Sequence, residues 1–170
     1  MTSSFVELQP EAEPLGAVSG FVNEFIDAVE QQNFFDKFSR GETTLLTEYF
    51  ECFGVPRDSL VIAEGAPGDF LLILVTGKAE IFQQVGDELH VTSEVHTGEM
   101  VGEVSFVDGQ ARNASCVTCE PSDLAILTRE SFQELQMAHP RLGNKFLMVL
   151  LQQNAARLRG AGHVKQGGWV

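Results

Sequence analysis

Apolar positions change rhythm twice along this chain. In residues 21–38 they fall at Phe21, Val22, Phe25, Ile26 and Val29, the three-and-four spacing of a helix that buries one face. A second such stretch, 45–53, predicts another helix, closed by Gly54-Val55-Pro56. From Ser59 the texture becomes short apolar runs at 60–63, 70–75, 79–85, 90–95, 114–118 and 124–127, bounded by Gly, Pro, Asp or Asn. Short strands at regular spacing with turn signals between them predict a β-barrel or sandwich over residues 58–128. Helical spacing returns at 131–159, broken once at His139-Pro140. Its second half carries a stripe of Leu147, Leu150, Leu151, Asn154 and Leu158, with Gly160 and Gly162 as the stop. The predicted order is helices in 21–53, a β-roll and C-terminal helices. Residues 1–20, with Pro10 and Pro14, read as a flexible lead and 161–170 as a tail, which leaves one domain at 21–160.

Charge narrows the classes of partner. The 170 residues include 24 acids against 11 bases, a formal net charge of −13. Such a surface repels nucleic-acid backbones and anionic membranes, so neither is expected as a partner. No apolar run is long enough to span a membrane, and the first residues lack a basic and then apolar leader; a cytoplasmic location is expected. The cysteines are Cys52, Cys116 and Cys119, an odd number that suggests no disulfide framework. The C-x-x-C at 116–119 lacks two further ligands at comparable spacing and falls in a predicted strand, which favours packed thiols over zinc or redox chemistry. No catalytic residue, metal ligand or cofactor is expected.

Candidate chemistry concentrates in residues 98–115. Across 58–128 the only basic residues are Lys78 and Arg112. Arg112 follows the turn Gly109-Gln110 and is flanked by the small residues Ala111 and Ala114, which leave room for a ligand. Its planar fork suits a phosphate, and backbone N–H groups around Ser105 and Asn113 suit an anion nest. Glu103, nine residues earlier, is an acceptor fit for a sugar hydroxyl. Together they suggest a ribose phosphate; a plain Glu103–Arg112 ion pair is the alternative on spacing alone.

The run Gly102-Glu103-Val104-Ser105-Phe106, followed by 107–111 and Arg112-Asn113-Ala114-Ser115, resembles the phosphate-binding cassette of the cyclic-nucleotide-binding domain family. That family includes the bacterial catabolite activator proteins and the regulatory subunits of cyclic-AMP-dependent protein kinase. Upstream, Glu64-Gly65-Ala66-Pro67-Gly68-Asp69 resembles the family's Glu-Gly-x-x-Gly-Asp hairpin. The resemblance implies an eight-stranded β-roll with N-terminal helices and a C-terminal hinge helix. It implies that Arg112 pairs with a cyclic phosphate and Glu103 with the ribose 2′-hydroxyl. Backbone N–H groups of Gly102, Ser105 and Asn113 would assist, with Val104 and Ala114 alongside, and Val101 and Ile81 as an apolar wall near the base. Asn113 departs from the family's usual Ser, Thr or Ala, and no base-capping residue is evident on the last helix.

The expected function is a stand-alone, non-enzymatic sensor of cyclic AMP, in preference to cyclic GMP, acting through a protein partner or self-association. Asn154 in the apolar stripe suggests a homodimer through 141–159. One rival is an interaction scaffold that has lost the ligand. Another is a cupin-type metalloenzyme, against which stand the six-residue spacing of His90 and His96 and the lack of an H-x-H.

Overall fold

A computed structural model describes residues 4–30 and 34–166. The chain runs through α1 (Ser4–Leu8), β1 (Glu13–Ala17), α2 (Val22–Val29), α3 (Arg40–Thr47), β2 (Glu51–Val55), β3 (Leu60–Ile62), β4 (Phe70–Thr76), β5 (Ala79–Val85) and β6 (Glu88–Val95). It continues through β7 (Met100–Val101), α4 (Glu103–Asp108), β8 (Ser115–Thr118), β9 (Ser122–Thr128), α5 (Arg129–Ala138) and α6 (Pro140–Gln166). The strands form two antiparallel sheets, one ordered β1-β2-β9-β4-β7 and the other β3-β8-β5-β6. The roll expected from the sequence is therefore present, flanked by helices at both ends.

The five-stranded sheet is a wall between two cores. Along β4 every residue from Phe70 to Val75 is buried, and strand alternation divides them. Phe70, Leu72 and Leu74 face the interior of the roll with Val61, Leu124 and Ile126. Leu71, Ile73 and Val75 face the helices with Ala125 and Leu127. The helical core is built on phenylalanine. Phe146 of α6 lies 5.5 Å from both Phe34 and Phe132, and Phe132 of α5 lies 5.7 Å from Phe106 of α4.

Five expectations need correction. Residues 4–17 are not a loose lead: Phe5 is fully buried against Phe53 and Phe70, and β1 pairs with the edge of β2. Pro14 gave a disorder signal, yet an edge strand tolerates proline because its outer N–H needs no partner. Hence nine strands, rather than eight, are present among the described residues. The apolar run 45–53 is not one helix. α3, started by a Ser39–Glu42 capping box, ends at Thr47, and 51–55 is strand β2, paired with β9. Cys52 enters one core and Phe53 the other, so an apolar run buried on both faces imitated a helical stripe. The C-terminal helices begin at Arg129, where the Thr128 side chain accepts from Ser131 N. α6 continues through Gly160 and Gly162 to Gln166, because a helical glycine costs only about 1 kcal/mol against alanine and no proline follows. Residues 1–3 of the expected lead, 31–33 of the first helical region and 167–170 of the expected tail lie outside the described residues. Among the described residues, no helix is long and apolar enough to cross a membrane.

Phe146 is fully buried at the meeting point of three aromatic neighbours. Phe146→Ala is expected to lose about 3–5 kcal/mol of stability in urea denaturation, from lost burial plus the cavity left behind.

Candidate functional site

Two left-handed glycines delimit the short helix α4: Gly102 at φ +87° starts it and Gly109 at φ +72° ends it. The β3–β4 turn presses against it so closely that a Cβ on Gly68 would lie 2.7 Å from the Ser105 carbonyl oxygen. Arg129, at the start of α5, closes the other side. Its Nη2 donates to the carbonyls of Phe106 at 2.7 Å, Ser105 at 3.2 Å and Gly68 at 3.2 Å. A cation on the last carbonyls of a helix is favourably placed. α4 is thus held by the turn before β4 and by the first residue after β9.

Arg112 lies on the segment that leads from α4 into β8. Its main chain is fixed at both ends: Arg112 N donates to Ala66 O at 2.9 Å, and Gly65 N donates to Arg112 O at 2.8 Å. The side chain is only 4% exposed. Nη1 donates to Gly102 O at 2.8 Å, Nη2 donates to Phe70 O, and the guanidinium lies 4.6 Å over the Phe70 ring. Among the described residues, no carboxylate is within ion-pair distance of it. Burial pulls its pKa down from the usual arginine value, and the charges of Asp69 and Glu103 push back. A cation desolvated and satisfied only by neutral carbonyls has electrostatic capacity left for an anion.

Glu103 is 3% exposed, and its partner is not Arg112 but Arg157 of α6, whose Nη1 donates to Oε1. The simple ion pair between Glu103 and Arg112 that the spacing allowed is therefore not formed. Instead Glu103, Arg112 and Arg157 border one cavity of about 480 Å³, within the usual range for a small-ligand site. All the residues singled out in the sequence line it: Val101, Gly102, Glu103, Val104 and Ser105 from the β7–α4 corner, Arg112, Asn113 and Ala114 from the segment before β8, and Ile81 from β5.

Two functional side chains escaped the sequence reading. The sequence of the last helix shows no evident base-capping residue, yet that helix brings Arg157 to the pocket. Arg157 stands outside the apolar stripe and 54 positions from Glu103, so no local pattern marks it. Arg129 was hidden for the same reason: its three acceptors, two on α4 and one on the β3–β4 turn, are distant in sequence. Elsewhere, His90 on β6 and His96 just after it are exposed beside Glu88 and Glu94, and no group of three potential metal ligands exists among the described residues. Burial pushes the Cys116 thiol up to about 12 and raises that of Cys119, the opposite of activation.

A family model described as the cyclic nucleotide-binding domain matches residues 53–139, the span that contains the whole cassette. The chain belongs to the cyclic nucleotide-binding domain family. Domains of this family are regulatory, not catalytic. The cyclic AMP receptor protein of Thermus thermophilus is 29% identical over 121 residues, 71% of this chain and 54% of that protein. The cAMP-dependent protein kinase regulatory subunit of Aspergillus fumigatus is 31% identical over 94 residues, 55% of this chain and 22% of that one. The chain therefore spans about half the length of the bacterial relative and about a fifth of the kinase subunit. A solved cyclic nucleotide-binding domain from Methylobacillus flagellatus superposes with a TM-score of 0.85 at 31% identity, over 100% of this chain and 97% of that one.

A Cβ on Gly102 would lie 2.7 Å from Arg112 Nη1 on a left-handed backbone, whereas one on Gly41 of α3 meets nothing within 4 Å. Gly102→Ala is expected to cost at least about 1–2 kcal/mol. Gly41→Ala is expected to add about 0.5–1 kcal/mol. Chemical denaturation of the two variants checks the contrast.

Proposed function

We propose that this domain binds a cyclic nucleoside monophosphate, cyclic AMP in preference to cyclic GMP, and that it works as a cytoplasmic sensor read by a protein partner or by self-association. The observation that carries the reading is the buried Arg112 guanidinium, partnered by carbonyls alone, on the same cavity as the buried carboxylate of Glu103. A guanidinium offers five N–H groups, and the two carbonyl bonds leave others for a phosphate. Backbone N–H groups of Gly102, Ser105 and Asn113 complete that anion site. Glu103 takes the ribose 2′-hydroxyl, while Val101, Val104, Ala114 and Ile81 give the sugar and base an apolar surface. The preference for cyclic AMP draws on the Thermus and Aspergillus relatives, both of which bear it in their names.

Arg157 connects ligand to output. It already donates to Glu103, so a ribose hydroxyl competes for that carboxylate and changes what holds α6. The stripe expected on α6 divides in two. Leu150 is buried and Leu147 packs on the helical core, whereas Leu151 and Leu158 are exposed together with Met148. Met148, Leu151, Ala155 and Leu158 follow the alternating three-and-four spacing of a coiled-coil seam. That spacing supports self-association through 141–159, which sedimentation at several concentrations, with and without nucleotide, decides.

Isothermal titration with cyclic AMP and cyclic GMP tests the ligand. Saturable binding is expected, tighter for cyclic AMP. Arg112→Ala is expected to weaken it by about 2–5 kcal/mol, since the phosphate is left buried and unpaired. No binding of either nucleotide to folded protein would overturn the reading in favour of a ligand-free scaffold. Arg157→Ala is expected to tighten cyclic AMP by removing a competitor for Glu103, and to leave 2′-deoxy cyclic AMP unchanged. Equal changes for the two ligands would break the link between Arg157 and the ribose.

A further inference from the structure

Arg112 borders a second cavity besides the nucleotide site. This space of about 280 Å³ lies under α1 and is lined by Ser4, Glu7, Leu8, Ala66, Pro67 and Arg112 among others. The Arg112 side chain is thus a partition, with the ligand cavity on one side and the N-terminal helix on the other. α1 lies outside residues 53–139, the span that the family model matches.

Three contacts tie α1 to Asp69 and Phe70, beside the guanidinium. Ser4 N donates to Asp69 Oδ2 at 2.9 Å, and Ser4 Oγ donates to Asp69 Oδ1. The Phe5 ring, fully buried, meets the Phe70 ring edge-on at 5.6 Å. Gln9 Nε2 donates to Leu60 O at 2.9 Å and anchors the chain just after the helix. Phe70 is the ring on which the Arg112 guanidinium rests, and its carbonyl accepts from Nη2. Asp69 is the residue just before it. Phe5 therefore supports Phe70, Phe70 supports Arg112, and Ser4 binds both oxygens of a carboxylate that would otherwise be open to the guanidinium.

We propose that Ser4 and Phe5 are positioning residues for Arg112: the N-terminal helix backs the phosphate-binding guanidinium and keeps Asp69 from competing with the ligand for it. This inference rests on the cyclic-nucleotide reading of Arg112 and adds a segment outside the matched domain to the binding machinery. A cation–π contact fixes a guanidinium only while its ring is itself fixed, and a buried aromatic ring is fixed by its neighbours. Withdrawal of α1 frees the Phe70 ring and exposes the Asp69 carboxylate, and both lower the affinity for an anion.

The test uses the full chain with Ser4→Ala, Phe5→Ala and Phe5→Leu. The first readout needs no ligand: NMR of the Arg112 guanidinium N–H groups, in samples shown to be folded by circular dichroism. Both alanine variants are expected to shift and broaden these resonances, with partial recovery in Phe5→Leu. Unchanged resonances in both alanine variants would overturn the proposal. The second readout is cyclic AMP affinity. Phe5→Ala is expected to weaken it by roughly threefold to thirtyfold. That loss should vanish in an Arg112→Lys background and persist in a Glu103→Gln background. Equal losses in both backgrounds would indicate general loosening of the fold and would also overturn it. If the unaltered protein binds no cyclic nucleotide, the ligand reading fails, and the resonances alone then decide whether α1 positions Arg112.

Discussion

A guanidinium buried on the face of a phenylalanine ring, with carbonyls for partners in place of a carboxylate, is the constraint to which the rest of this molecule answers. To hold Arg112 there, the chain brings together the β3–β4 turn, the Phe70 end of β4, the left-handed corner at Gly102 and the segment before β8. Each supplies a backbone group rather than a charge. Neutral partners satisfy the hydrogen bonds of arginine without cancelling its charge, which an ion pair would do. In a protein of net charge −13, that leaves a concentrated local point of attraction for an anion.

The five-stranded sheet lets this local arrangement reach the helices. Strand β4 supplies Phe70 to the arginine and, one residue later, Leu71 to the helical core. On the helical side, rings pass from Phe106 on α4 through Phe132 on α5 to Phe146 on α6. Close-packed rings do not slide continuously past one another. Any displacement of α4 would therefore be carried into α5 and α6 along the same rings that stabilise the fold.

What could be read in the sequence was whatever is local. The cassette was legible because Glu103 and Arg112 sit nine residues apart within a recognisable run, and the whole predicted set meets at one cavity. The roll was legible because its strands are short and punctuated. The helix predicted over 45–53 failed because β2 is buried on both faces, and a run such as Tyr49-Phe50-Glu51-Cys52-Phe53 has no period to betray a strand. Phe5 was lost among prolines and acids, since nothing nearby in sequence announces the slot between Phe53 and Phe70. Arg129 and Arg157 are long side chains reaching across the fold to groups remote in sequence, and spacing carries no information about such contacts.

The length of α6 gives its single bond to Glu103 a mechanical meaning. Twenty-seven residues of helix make a rod about 40 Å long. Among the described side chains, its buried apolar anchors are Leu142, Phe146, Val149 and Leu150, all in the first half. Arg157 stands seven residues beyond the last of them, roughly 10 Å further along the axis. A rod held near one end is a lever: a rotation of a few degrees among the anchors, too small to disturb the phenylalanine packing, becomes a displacement of about 1–2 Å at the end of the helix, roughly 24 Å beyond Leu150. The Arg157–Glu103 bond restrains that lever beyond its buried anchors, so exchanging one hydrogen bond inside the pocket changes what holds the second half of α6.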